Sequence, residues 1–365
     1  MKQLLEKYKT ANKNTKRDIL NYLLVLLVFG VVQFAMGGGL LTNSMKGQLV
    51  PICAYVVMAI SLTLTVGILG ELSLGHGAFM SVGAFTGVLF TMMNQESIAS
   101  EPVRLLLAFI VGTIAAGVMG LLIGIPVLRL NGDYLAIVTL AFGEIVKNVL
   151  NVLYVGVDGA GLHIALGDES RLNLQENGQV LLGGAMGITG GKKIATFGIG
   201  VVLILVALFV AQNLVRSRTG RAIMAIRDNR IAAQAMGINV TKYKLIAFSI
   251  SAALAGAAGV LYGHNYSAFQ AGKFDYTMSI QVLLFVVLGG MSSFRGAMIA
   301  ATVLTVLPEL LRGMEDYRML IYAIVLIVVM IFNQSPKAQE WRQTIVEKMP
   351  AIPFIQKIKT PKEGK

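Results

Sequence analysis

Ten apolar runs separated by polar stretches set the pattern of this chain: 19–36, 50–69, 78–93, 105–128, 134–154, 194–214, 245–262, 280–290, 297–311 and 319–333. A helix needs about 20 mostly apolar residues to cross a bilayer. The pattern therefore predicts an all-α fold, a polytopic transmembrane helical bundle of about ten spans. The shorter runs, notably 280–290, read as half-spans or as spans that extend into their flanks. The first run is too long and unbroken for a signal-peptide core and is expected to remain as the first span. The expected organisation is a polar segment over 1–18, a membrane domain over 19–333 and a basic tail over 334–365. The longest polar loop, 155–193, is expected to form a small exposed structure such as a surface helix. In the tail, Trp341, Ile352 and Phe354 among basic residues suit either an amphipathic segment lying on anionic membrane lipid or a disordered end.

Composition sharpens this picture. The 365 residues are 55% hydrophobic and 14% charged, where a soluble domain carries about 25% charged residues. The formal charge is +12, from 31 basic and 19 acidic residues. Those charges fall in loops and tails, so they read as a topology signal and not as a nucleic-acid surface. With both termini placed inside the cell, ten alternating crossings put 22 Lys and Arg residues inside and 8 outside, with Lys147 within a span. That bias predicts a multi-pass protein of the cell (inner) membrane with cytoplasmic termini. The single cysteine, Cys53, rules out an intrachain disulfide and reads as an apolar packing residue.

Glycine interrupts the apolar pattern where the second and third runs meet, in GELSLGHGAFMSVGAF. Such density permits a broken or re-entrant helix, or close helix packing. The pairs Gly83/Gly87, Gly120/Gly124 and Gly259/Gly263 read as packing seams. A second glycine-bounded break is GGMSSFRG over 289–296. Ionisable groups inside a bilayer are expensive, so each one warrants an account. Glu144 and Lys147 lie three apart on one helical face and neutralise each other, as a structural pair or along a water-filled path. His76 is expected to bond a backbone carbonyl freed by the glycine break. Gly75, His76, Gly77, Glu144 and Lys147 are therefore the candidates for a translocation path or subunit interface.

Catalytic patterns do not emerge. His76, His163 and His264 lie in separate regions, and HExxH, a Gly-x-Ser-x-Gly elbow and a GxxxxGK[ST] loop are all absent from the sequence. The chain reads as neither an enzyme nor an ATPase, with no metal site and no cofactor of its own.

The most unusual polar stretch is 216–244, with seven basic residues opposed by Asp228 alone. Ala222, Ile223, Ile226, Ile231, Ala232, Ala235 and Met236 recur within it at roughly helical spacing. That pattern predicts one or two short amphipathic helices under the bilayer, whose apolar face needs a local core or a partner. A partner is the expectation.

LSLGHGAFMSVGAF (72–85), NGDYLAIVTLAFGEIV (131–146), TGRAIMAIRDNRIAAQAMGI (219–238), KLIAFSISAALAGAAGVLYG (244–263) and LGGMSSFRGAMIAA (288–301) together carry a resemblance to the LivM-type permeases of branched-chain amino acid ABC transporters. The resemblance implies the fold of the larger type II ABC importer permeases. It also implies a second homologous permease, two ATP-binding cassette subunits that hold the ATP and Mg, and an external solute-binding protein. It assigns 219–238 to a cytoplasmic coupling helix. Many importer permeases carry Glu-Ala-Ala-x-x-x-Gly there; Ala232, Ala233 and Gly237 fit, and Ile231 stands in place of the Glu. On that reading Arg221, Arg227, Asp228 and Arg230 serve polar docking, Ile226, Ala233 and Met236 are apolar anchors, and Gly237 ends the helix. ABC permeases for amides, urea, sugars or nucleosides are the nearest alternative, and an ion-coupled carrier is a more distant one.

Overall fold

The structure is a computed structural model that describes residues 13–39, 42–95, 97–130, 132–159, 161–175, 178–313 and 317–334. The expected N-terminal segment up to residue 12 and the tail beyond Gln334 lie outside the described residues. Among the described residues twelve α-helices follow in chain order: α1 Lys13–Gly37, α2 Asn43–Leu62, α3 His76–Met93, α4 Glu101–Val127, α5 Asp133–Val152, α6 Phe197–Arg216, α7 Arg218–Asp228, α8 Arg230–Ala235, α9 Val240–Gly263, α10 Tyr276–Gly289, α11 Phe294–Leu310 and α12 Arg318–Gln334. Contacts divide the chain into a unit ending at Glu309 and a second one beginning at Leu310, of which α12 is the main described element.

Eight helical segments among the described residues are long and apolar enough to cross a membrane. The last two expected spans correspond to α11 and α12, helices of 17 residues each. The 280–290 run forms α10, a helix of 14 residues. A 3-10 turn, Ala271–Phe274, leads into it and folds inward, where Phe274 meets Phe85, Tyr262 and Phe269 at ring separations of 5.7–6.2 Å.

The core forms where small residues let backbones approach. The second span is 89% buried inside the chain, against 11% for the first, whose Leu23, Leu27, Val31 and Phe34 face outward. Helices α3 and α9 run side by side. Gly83 lies against the backbone of Gly256, Gly259 against the Met80 carbonyl and Gly263 against Ala84. Helix α4 crosses them with Gly112, Ala116, Gly120 and Gly124 on one stripe, facing Val260, Gly256, Ala252 and Phe248. Lipid tails are as apolar as these side chains, so contact dispersion at short range holds such helices together more than exclusion of water does.

The loops gather in two groups at opposite ends of α3 and α9. One group joins the break after Leu69, the region of α7 and α8, and the turn at 290–293. The other joins Gly187 and Ile188 to Phe269, Gly191 to Ser267, and Ile194 to the His264 carbonyl. The alternation inferred from apolar runs likewise puts 70–77, 215–244 and 291–296 on one side, and 155–193 and 263–279 on the other. The 155–193 loop corrects its expectation: it carries a three-stranded antiparallel sheet instead of a surface helix, with β1 Leu153–Asp158 between β2 Gly161–Leu166 and β3 Gln179–Gly183. The chain leaves α5 directly into β1, so the apolar run 134–154 holds both the helix and the start of a strand.

Candidate functional site

The second span does not end as an ordinary α-helix. After Leu62 it is wound as a π-helix over Thr63–Leu69, and Gly70, at φ +79°, stops it. The Thr63 hydroxyl donates to the Ala59 carbonyl at 2.7 Å. Gly67 lacks a Cβ, and the backbone of Met291 fills the space where one would stand. π-winding shifts each carbonyl's donor one residue further along, as in Gly70 N to the Thr65 carbonyl, and is frequent at functional positions. From Gly70 to Gly75 the chain is non-helical, and it turns back to begin α3 at His76. The helix is broken here, one of the outcomes that the glycine density permits.

His76 is fully buried and its partners differ from the expected carbonyl. Its Nε2 lies 2.9 Å from Ser251 Oγ, and its Nδ1 lies 3.3 Å from Ser73 Oγ. Ser251 is the twelfth of the 24 residues of α9, so α3 begins level with the middle of its neighbour. Ser251 Oγ donates to the Ser61 carbonyl at 2.6 Å and accepts from Thr65 Oγ1 at 2.9 Å. With its one proton spent, Ser251 accepts from His76, which assigns the proton of a neutral imidazole to Nε2 and leaves Nδ1 to accept from Ser73. Two buried serine hydroxyls take the place of the expected carbonyl. Gly75 and Gly77 serve close approach: a Cβ on Gly75 would meet the Thr139 carbonyl at 2.6 Å, and Gly77 N donates to Ser279 Oγ at 3.0 Å.

Below this network the three loops of the same end converge on one atom. The Gly67 carbonyl accepts from Arg227 Nη1 at 2.9 Å and from Ser292 Oγ at 3.4 Å. The Arg227 guanidinium also pairs with Asp228 at 2.8 Å. Beside it, Lys244 in the first turn of α9 forms an ion pair with Glu71, with side chains only 4% and 12% exposed. In the sequence Lys244 is one of seven basic residues over 216–244, and Glu71 is one residue of the glycine-rich break. Their signal was each one's position at the edge of an apolar run, where an unpaired charge is costly.

Helices α7 and α8 sit at this junction, capped by side chains suited to that task. Ser217 Oγ accepts from Gly220 N, and Asn229 Oδ1 accepts from Ala232 N, both at 3.0 Å. Gly237, at φ +78°, terminates the pair, with Ile238 N bonded to the Ala233 carbonyl at 3.0 Å. The apolar face is divided between the two fates open to it. Ile226 and Ala233 pack with Val240, Ile238 and Tyr243 in a small local core. These two residues therefore correct the expectation that they are anchors for another protein: their side chains are already used. Ile231 and Met236 remain 80% and 81% exposed. Arg221, Arg230, Ala232 and Gly237 are exposed with them.

Glu144 and Lys147 form the i,i+3 ion pair, half-buried on α5, with Glu144 the twelfth of that helix's 20 residues. Gly75 meets the same helix at Thr139, five residues before Glu144 and about 7.5 Å along the axis. The same helix exposes Tyr134, Ile137, Ile145, Val149 and Val152. Replacing Lys147 by Met alone should cost about 2.5–3.5 kcal/mol of membrane stability by leaving Glu144 charged within the span. The double replacement Lys147→Met with Glu144→Met should cost less, as thermal unfolding in detergent micelles would register. Equal losses for the single and double replacements would mean that the pair is not coupled. Among the described residues no group of His, Cys, Asp and Glu is arranged to hold a metal ion.

Comparison with known proteins adds the following. The family model described as the permease component of branched-chain amino acid transport systems matches residues 44–330. The chain is 36% identical over 288 residues to the high-affinity branched-chain amino acid transport system permease protein LivM of Salmonella typhimurium, and 35% identical over 288 residues to LivM of Escherichia coli. Each match covers 76% of this chain and 66% of the relative, just under two thirds of its length. LivH, another permease protein of the high-affinity system in Salmonella typhimurium, is 26% identical over 261 residues, covering 69% of this chain and 80% of LivH. No solved structure matches the chain significantly.

Proposed function

We propose, from the premise that this chain belongs to the branched-chain amino acid transport system permease family, that it is one membrane-spanning permease subunit of an ABC importer for branched-chain or related amino acids. It binds no ATP. Two ATP-binding cassette subunits hold ATP and Mg beneath the membrane, and an external solute-binding protein delivers the amino acid. The chain is a multi-pass membrane protein; the charge bias of its loops supports placement in the cell's inner membrane with both termini cytoplasmic.

A second, homologous permease completes the path. Similarity to both LivM and LivH supports this, since the two are permease proteins of one named transport system in one organism. The uncovered face of α5 supports it too, because an ion pair halfway along a span is poorly accommodated by lipid.

One observation carries the ATPase coupling. Helices α7 and α8 bury Ile223, Ile226 and Ala233 yet leave Ile231 and Met236 exposed beside Arg221 and Arg230. A short helix that is stable on its own core and still presents apolar side chains suits a groove in another protein. The double replacement Ile231→Asp with Met236→Asp should lower co-purification of the two ATPase subunits at least tenfold, since loss of central apolar anchors typically costs 2 kcal/mol or more. Wild-type uptake in vesicles that lack nucleotide and follow a proton or sodium gradient would overturn the reading.

A further inference from the structure

We propose that Arg227 is a positioning residue that holds the second span in its π-wound form, and thereby ties the α7–α8 unit to the polar network around His76. The proposal rests on the coupling role given above and deepens it. Between the surface of α7–α8 and the interior of the bundle, the side chain of Arg227 makes the long crossing. It reaches 160 residues back along the sequence to the Gly67 carbonyl. It also runs across Gly70, where a Cβ would come within 2.5 Å of Arg227 Cγ. The bonded route then continues inward. Gly67 lies within the π-helix that carries Thr65, Thr65 donates to Ser251, and Ser251 holds His76 at the start of α3.

The π segment is the element with two available arrangements. A π turn holds one more residue than an α turn, so relaxation to α geometry rotates the side chains that follow by about one residue, roughly 100°. Thr65 is the third of the seven residues that would rewind, so the change reaches the bond it donates to Ser251. Gly67 is in the last turn before Gly70 stops the helix, where carbonyls lack intrahelical donors; Arg227 satisfies this one in the position that the wound form gives it, and so favours that form. Displacement of α7 by a partner withdraws that donor and favours the relaxed form. A guanidinium suits the task because it stays charged and donates to Gly67 and Asp228 from separate nitrogens. Ser292 is a weaker second donor from the 290–293 turn.

The test uses the full chain in its assembled transporter, with Arg227→Ala, Arg227→Lys, Gly70→Ala and Arg230→Ala. Gly70→Ala crowds the arginine side chain but also strains a backbone at φ +79°, so it is read beside the double variant Gly70→Ala with Arg227→Ala, which adds nothing to the single one when Gly70→Ala acts through the arginine. Two readouts are needed: amide hydrogen exchange over residues 63–71, and amino acid taken up per ATP hydrolysed in proteoliposomes with the binding protein. Arg227→Ala and Gly70→Ala should speed exchange in 63–71 at least tenfold and lower the uptake-to-hydrolysis ratio at least tenfold. Arg227→Lys should recover part of both, and Arg230→Ala should leave exchange in 63–71 unchanged. Unchanged exchange overturns the proposal, as does faster exchange at an unaltered ratio, which would make the bond merely structural. Loss of ATPase association in Arg227→Ala also overturns it, because Arg227 would then be a docking residue. If the wild-type chain never associates with an ATPase, the coupling role itself fails, while the exchange measurement still decides whether Arg227 holds the π segment.

Discussion

Replacing Lys244 by methionine should destabilise the protein by about 3–5 kcal/mol, the usual loss when one member of a buried ion pair is removed. Glu71 would keep its charge in a site where its side chain is only 12% exposed. The double replacement Lys244→Met with Glu71→Met should recover most of that loss, since an apolar pair of similar volume is often neutral or better. Thermal unfolding of the purified protein in detergent, single against double, measures the difference. A single replacement no worse than the double would show that the two groups are not energetically joined. The contrast is expected to be large because the pair links the first turn of α9 to the break in the second span, two places that chain connectivity alone holds 173 residues apart.

The second large effect lies in the glycine seams. Gly259→Val should abolish the close packing of α3 on α9, because even the first added carbon would overlap the Met80 carbonyl and approach Ala84 N to 2.9 Å. Overpacking against side chains costs about 1–3 kcal/mol. Here the obstacle is backbone, which cannot rotate out of the way, so the loss should reach or exceed the top of that range. The folded, monodisperse yield on size-exclusion chromatography should collapse. Gly30→Ala is the control: nothing lies within 4 Å of a Cβ at that position, and its helix should gain about 0.5–1 kcal/mol from the better helix former. Equal yields for the two variants would refute the seam.

Much of this was legible in the sequence, and particular residues show where it stopped. Apolar runs located the helices with ends up to seven residues off, as at Asn43 against residue 50, because hydrocarbon leaves a backbone little choice but the helix. The glycines between 67 and 87 marked the break, since a missing Cβ is needed wherever two backbones meet, as at Gly67 and Gly83. The sheet escaped for the opposite reason. Leu162, Ile164 and Leu166 alternate as a strand should, but their apolar face is exposed and lies in a loop rich in glycine, so the alternation stood alone. In the α7–α8 unit the helical spacing was plain, whereas the division of its apolar face was not. Periodicity shows that Ile226 and Met236 share an amphipathic segment; only the fold decides that Ile226 packs against Val240 while Met236 meets solvent. The long-range partners, Gly67 for Arg227, Ser251 for His76 and Glu71 for Lys244, were beyond reach because each lies at least 160 residues away in sequence.

The meeting point at Gly67 also sets an order of biosynthesis. The sheet joins strands that leave the ribosome within a few dozen residues of one another, so it can pair as soon as it emerges. The Gly67 carbonyl must wait 160 residues for Arg227 and 225 for Ser292. A nascent chain halted before residue 292 therefore keeps its most buried span incompletely pinned, and surveillance proteases should find that segment accessible until the last of these donors is made.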